Sequence, residues 1–169
     1  MNYNIIKEKF LEAFKAKEEV SELIRMGVIE YVSMRDFVII SDINRMIKSG
    51  IKSNNVAYKV IANEFSITRY WASKIYQRDN KAKSANLENR DRFLSMFRAK
   101  KDVAKMIENS IITDKNINHY LIVIDMKILV YIDEITFSEA CRIIAPKFEL
   151  SEQWIRDIFC TNKKMKRLY

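Results

Sequence analysis

Glycine and proline are almost missing from this sequence: its 169 residues include two glycines and one proline. Closely spaced hairpins need such residues at their turns, so a protein built mainly of short strands is not expected. Two glycines also leave no material for a glycine-rich phosphate loop. Histidine appears once, as His119, and cysteine twice, as Cys141 and Cys160. That supply writes neither a metal site of spaced His and Cys nor a disulfide framework, and both thiols are expected to be buried or half-buried in a reducing compartment. Long uncharged apolar runs are missing too. The most apolar stretch, Tyr120 to Ile132, is interrupted by Asp125 and Lys127 and is too short for a bilayer. No charged leader followed by an apolar segment opens the chain, so the expected location is cytoplasmic, or nuclear in a host with a nucleus.

What the sequence does contain suits helices. Hydrophobic residues make up 49% and aromatics 11%, enough for a real core, while Lys, Glu, Arg, Ile, Met and Ala are all compatible with helix. The expected class is all-α. Thirty Lys and Arg against twenty-two Asp and Glu leave a formal charge of +8, which favours polyanionic partners. That charge is uneven: residues 1–83 carry net +5, residues 84–162 net −1, and the final KKMKRLY adds four positive charges.

Self-similarity at a fixed offset reshapes this reading. Shifted by 83 residues, Phe10 falls on Phe93, Phe14 on Phe97, Val20 on Val103, Asp42 on Asp125, Ala62 on Ala145, Phe65 on Phe148, Trp71 on Trp154 and Ile75 on Ile158. Eighteen of 83 pairs are identical, most of them apolar, which is the pattern of a preserved core. The chain therefore divides into a first repeat, residues 1–83, and a second, residues 84–169, which ends in the basic tail. Each repeat parses into four helical segments. The first runs from about Asn4 to Met26, with its twin from Leu87 to Asn109. A second begins near Ser33, where Ser33 and Asp36 suit a cap, and ends at Gly50; its twin covers Ile117 to Ile132 and is apolar nearly all round, so it is expected to be buried between the copies or against a partner. The third segment starts at Ser53 or Asn54, and in the second copy Thr136 with Glu139 spells a capping box. Thr68 and Ser151 stand at the N-cap of the fourth.

Those last two segments read Ala62, Phe65, Ser66, Ile67, Thr68, Ala72 and Ile75 in one copy and Ala145, Phe148, Glu149, Leu150, Ser151, Ile155 and Ile158 in the other. The pattern resembles the helix-turn-helix superfamily of DNA-binding proteins over about twenty residues per copy. There, a small residue lets two helices approach, and the capped second helix enters a major groove. Ser66 and Glu149 stand at a turn position that usually favours glycine, and Pro146 falls inside the third helix of copy two. The resemblance implies DNA contact by Arg69, Tyr70, Ser73, Lys74 and Gln77, with Thr68 at the cap and Arg78, Lys81 and Lys83 following. Arginine can read guanine, glutamine can read adenine, and Lys, Ser and Tyr can hold phosphates. The second copy offers Gln153 and Arg156 among Glu149, Glu152 and Asp157, so its helix-turn-helix is degenerate and its contribution weak, or its surface binds protein. Lys163, Lys164, Lys166 and Arg167 can anchor phosphates.

Trp71 and Trp154, matched in both copies, are expected to pack inward. The matched acids Asp42 and Asp125 are expected to form buried ion pairs within their copies, with Lys17 and Lys100 as the matched bases. His119 is expected at a surface near a helix start; its repeat partner is Asp36. No nucleophile motif or convergent acid–base set stands out, so an enzyme is not expected, nor is a cofactor. The expected function is double-stranded DNA binding in transcriptional regulation or in a mobile element or phage. Its rival is a helical protein-interaction module, with a homodimer or protein partner docking on the second repeat. Single-strand or RNA binding would need exposed aromatics, for which Tyr70 and Tyr76 are the candidates.

Overall fold

A computed structural model of the chain describes residues 2–51, 53–77 and 87–165, with the side chains of the final helix as far as Thr161. Among the described residues there are ten α-helices and no strand, so the protein is all-α. The first half holds α1 (Tyr3–Glu12), α2 (Lys17–Arg25), α3 (Tyr31–Lys48), α4 (Asn54–Phe65) and α5 (Arg69–Gln77). The second holds α6 (Leu87–Ser95), α7 (Lys100–Glu108), α8 (Asp114–Tyr131), α9 (Phe137–Lys147) and α10 (Glu152–Met165). The starts of α2 to α5 recur 83 residues later as the starts of α7 to α10. None of these helices is long and apolar enough to cross a membrane.

The segment expected as one helix from Asn4 to Met26 is two, α1 and α2, and α6 and α7 divide its counterpart in the same place. No glycine or proline marks the break. The amides left open at the break are capped from the opposite half. Ala16 at the N-cap of α2 has no side chain that can accept a hydrogen bond. The acceptor is instead Asp102 of α7, whose Oδ2 takes the amides of Lys15 and Ala16, each at 3.1 Å. The favour is returned: Glu19 of α2 accepts the amides of Arg98 and Ala99, again at 3.1 Å, ahead of α7. Glu19 and Asp102 are themselves 83 residues apart, so the two halves cap each other by an exchange in which i meets j and j meets i, the signature of a twofold relation. Free amides at a helix start need an acceptor, and a carboxylate there also suits the helix dipole.

Other ends are capped locally. Thr113 and Asn116 form a reciprocal capping box ahead of α8, three residues before the start expected for that helix. Ser33 and Asp36, expected to cap α3, lie inside it, because the helix already begins after Glu30, and Arg35 takes Asp36 at 2.8 Å. Thr136 accepts from the Glu139 amide at 3.3 Å, while the Glu139 carboxylate turns to Arg142. Pro146 is the penultimate residue of α9, where it takes away the amide that would reach the Arg142 carbonyl, and α9 ends at the next residue, one residue shorter than α4.

Two apolar clusters make the core. One runs without interruption from Ile6, Phe10 and Phe14 through Ile39, Ile61 and Ile75 into Phe93, Met106, Ile112 and Leu121. The other joins Ile122 and Met126 of α8 to Cys141 and Ile144 of α9 and to Ile155, Ile158 and Phe159 of α10. Phe10, Phe14 and Phe37 meet ring to ring at 5.1 to 5.7 Å, and Phe93, Phe97 and Tyr120, at equivalent positions, meet at 4.9 to 6.0 Å.

The matched acids are nearly buried, each 8% exposed, but their partners differ from the expected lysines. Asp42 takes Lys9 at 3.4 Å and Arg45 at 2.8 Å, and Lys9 also reaches Glu64 at 2.8 Å. Asp125 takes both Arg92 and Lys147, the latter at 2.8 Å. Lys17 and Lys100 are exposed first residues of α2 and α7 instead. Lys9 and Arg92 are repeat equivalents, as are Glu64 and Lys147, so one charge of each cluster has reversed sign between the halves.

Candidate nucleic-acid interface

Helices α4 and α5 pack together through Ala62, Phe65, Ala72 and Ile75, all buried, and α5 also lies on α3. Residues 66–68 join them. Ser66 stands in the left-handed region at φ 54°, and the Ile67 amide reaches back to the Ala62 carbonyl at 3.0 Å. Glu149 repeats the conformation at φ 54° between α9 and α10, with Leu150 bonded to Ala145 at 3.0 Å. Lacking glycine, both turns hold the left-handed form against a cost of roughly 1–2 kcal/mol per residue. The chain recovers it through that backbone bond and by burying the flanking apolar residues. Thr68 Oγ1 then accepts from the Trp71 amide, and Ser151 Oγ from the Trp154 amide, each at 3.2 Å, so both expected N-caps are made.

With Ala72 and Ile75 turned inward, at about 100° per residue the opposite side of α5 falls on Tyr70, Lys74 and Gln77. These three are exposed, as are Thr68 and Arg69, and Ser73 is half-buried at the edge. Lys74 Nζ lies 5.5 Å from the centroid of the Tyr70 ring, which holds the cation above the helix surface. Arg78, Lys81 and Lys83 lie outside the described residues.

Trp71 does not pack inward. It is 56% exposed, and its repeat equivalent Trp154 is 58% exposed. Among the described residues α5 packs chiefly on α3 and α4, which leaves the flank that carries the indole exposed. Trp71 instead meets Tyr70 edge to face at 6.1 Å, and the two rings line a shallow groove with Lys74, Ile75 and Gln77.

The corresponding side of α10 carries Glu152, Gln153 and Asp157, all exposed. Gln153 donates to Asp157 at 2.9 Å, and the Arg156 guanidinium lies 5.1 Å from the Phe137 ring, so both expected contacts are engaged within the protein. Cys160 is exposed, against expectation, since it follows Phe159 on the outer side, while Cys141 is buried in the second core and burial pushes its thiol up. Lys163 and Lys164 continue α10, but their side chains lie outside the described residues, as do Lys166 and Arg167.

Two further clefts lie where the halves meet. One is lined by Asp36, Phe37 and Ile40 of α3 with Asn109, Ser110 and Ile111; the other by His119, Tyr120 and Val123 of α8 with Met26, Gly27 and Val28. Those residues correspond at the offset of 83, again as a twofold relation requires. His119 is half-buried there, not at a free surface; burial lowers its pKa, with Lys115 adding to the effect and Glu30 opposing it. Tyr76, considered for single-strand stacking, is partly covered, with its hydroxyl donating to Asn44 at 3.0 Å and its ring 5.8 Å from Tyr58.

No known protein family matches this chain, and no curated protein or solved structure does either.

Proposed function

We propose that this protein binds double-stranded DNA through the exposed side of α5, as a transcriptional or mobile-element regulator built by tandem duplication of a helical unit ending in a helix-turn-helix. One observation carries the reading: a capped helix after a left-handed turn offers Arg69, Tyr70, Lys74 and Gln77 to solvent, with no carboxylate among its nine residues. Such a face suits phosphates and base edges together. The reciprocal capping by Glu19 and Asp102 supports a second element of the proposal, that one chain presents two reading heads about an internal pseudo-twofold, as a dimer does elsewhere. Those heads are unequal. Acidic side chains on α10 oppose phosphates, so α5 supplies most of the affinity and the target pairs a strong half with a weak one.

Salt tests the proposal. Genomic fragments retained at low salt must be released steeply as salt rises, because bound cations displace counterions from the duplex. Retention that ignores salt, or no retention at all, rejects DNA binding.

A protein-interaction role without nucleic acid is favoured by a different observation. At the end of α8, Ile128, Tyr131 and Ile132 are exposed, Tyr131 and Ile132 by 60% and 71%, where α3 and its following residue carry Arg45, Lys48 and Ser49. Exposed apolar side chains grouped on one helix end suit a protein partner or a second copy.

A further inference from the structure

Among the exposed positions of α5 and their equivalents on α10, chemistry differs at nearly every pair: Arg69 against Glu152, Tyr70 against Gln153, Lys74 against Asp157, Gln77 against Cys160. Tryptophan alone is the same, at 71 and 154, and both rings stand more than half exposed. Packing does not explain this. An indole left in water forfeits the largest apolar burial any side chain can offer, so a helix gains nothing for its own stability by keeping it there. Each ring follows directly on the turn: its amide is bonded by the capping hydroxyl, which fixes where the side chain leaves the helix. In the resembling motif it is this first turn of the second helix that approaches a groove.

We infer that Trp71 and Trp154 are paired apolar contacts to duplex DNA, one per half, lying against deoxyribose and thymine methyl groups at the groove edge; this rests on the DNA-binding reading. Charge complementarity argues for that occupant at Trp71, which has Arg69 and Lys74 on its own helix and neither of them in an ion pair with a described residue. The Tyr70 ring braces Trp71 from one side, so the groove wall is preformed and little side-chain freedom is lost on contact. Trp154 makes the same contact without cationic help, which leaves it the weaker of the two. The contact is blind to hydrogen-bond pattern except through the thymine methyl, and so favours A·T-rich edges.

The chain holds only these two tryptophans beside eight tyrosines, so emission excited at the red edge of the indole band, where tyrosine does not absorb, reports on them alone. Full-length Trp71→Phe and Trp154→Phe variants each leave one ring to observe. Emission is read on adding an unlabelled mixed-sequence duplex of about 30 base pairs, roughly three helical turns. Binding is followed separately by anisotropy of the same duplex carrying fluorescein. The expected result is that both rings change emission on binding and recover as salt rises, and that Trp71→Ala weakens binding by about tenfold, with a smaller loss for Trp154→Ala. Duplex binding with both emissions unchanged overturns the tryptophan contacts and leaves DNA binding in place. No duplex binding overturns both. Emission that shifts with chain concentration in the absence of DNA places the rings in an interface between copies, and also overturns the inference.

Discussion

Residues 2–77 and residues 87–161 carry helices at equivalent positions, but the two halves diverge where they face water. Inside, apolar pairs such as Phe10 and Phe93, Ile61 and Ile144, and Ile75 and Ile158 hold the same places. Outside, the exposed positions that carry Arg69 and Lys74 on α5 carry Glu152 and Asp157 on α10, and the end of α3 is charged where the end of α8 is apolar. A close-packed interior punishes a change of volume, whereas a solvated position accepts a change of sign at little cost. The halves are therefore alike as scaffolds and unlike as surfaces. Even the nearly buried clusters follow this rule: Asp42 and Asp125 are retained, while Glu64 and Lys147, at the rim, have exchanged sign and each still finds a partner.

The comparison breaks hardest at those acids. Asp125→Ala strands Arg92 and Lys147 around a nearly buried site and is expected to cost about 2–4 kcal/mol in denaturant unfolding, with Asp42→Ala costing a similar amount. Burial alone would raise the Asp125 carboxyl, but the hydrogen bonds and charges of Arg92 and Lys147 outweigh it and hold the folded value below the ordinary 3.8. Its contribution is thus complete above that value and is lost as pH falls through the lower, folded one. An acid titration of stability should be flatter below pH 3.8 for Asp125→Asn than for the unaltered protein. Identical acid profiles would show that the pair does not operate in solution.

Smaller losses test the twofold exchange. Glu19→Ala and Asp102→Ala each remove a cap supplied by the opposite half, and each is expected to cost about 1–2 kcal/mol, by nearly equal amounts. A large loss from one and none from the other would mean that the halves are not related by that exchange. Smaller again is the turn: Ser66→Gly relieves a left-handed residue and is expected to stabilise by up to about 1 kcal/mol, and Glu149→Gly likewise. The last contrast leaves stability untouched. A thiol reagent applied to the folded protein should modify Cys160 promptly and Cys141 only on unfolding, and equal rates would contradict the second core.

Much of this architecture was legible in the sequence, and the failures are instructive. The poverty of glycine and proline points to helices, and the offset of 83 makes the β-branched run of α8 a helix, although α8 starts three residues before the Ile117 expected. The break between α1 and α2 was invisible because no residue near Ala13 to Ala16 signals it; its acceptor is Asp102, 86 residues away from Ala16. Identity at the offset of 83 points to Lys17 as the partner of Asp42, yet Lys9 and Arg92 fill that role with a conservative change that an identity count passes over. The same identity makes Trp71 look like core. It stands four residues before buried Ile75, near the inward side, but its flank is exposed, and cover is a property of the tertiary arrangement. At the candidate interface, the turn, its caps and the outward side of α5 followed from local pattern, whereas the engagement of Arg156 by Phe137 depended on contacts that no local pattern encodes.

The claim on which the account rests is that α5 lies against a duplex, and the double substitution Arg69→Ala with Lys74→Ala addresses it most directly. Measured by titration of a labelled duplex across a salt series, it should weaken binding by at least about tenfold and lower the magnitude of the salt slope by roughly one to two. Duplex affinity and salt slope both equal to those of the unaltered protein would contradict it.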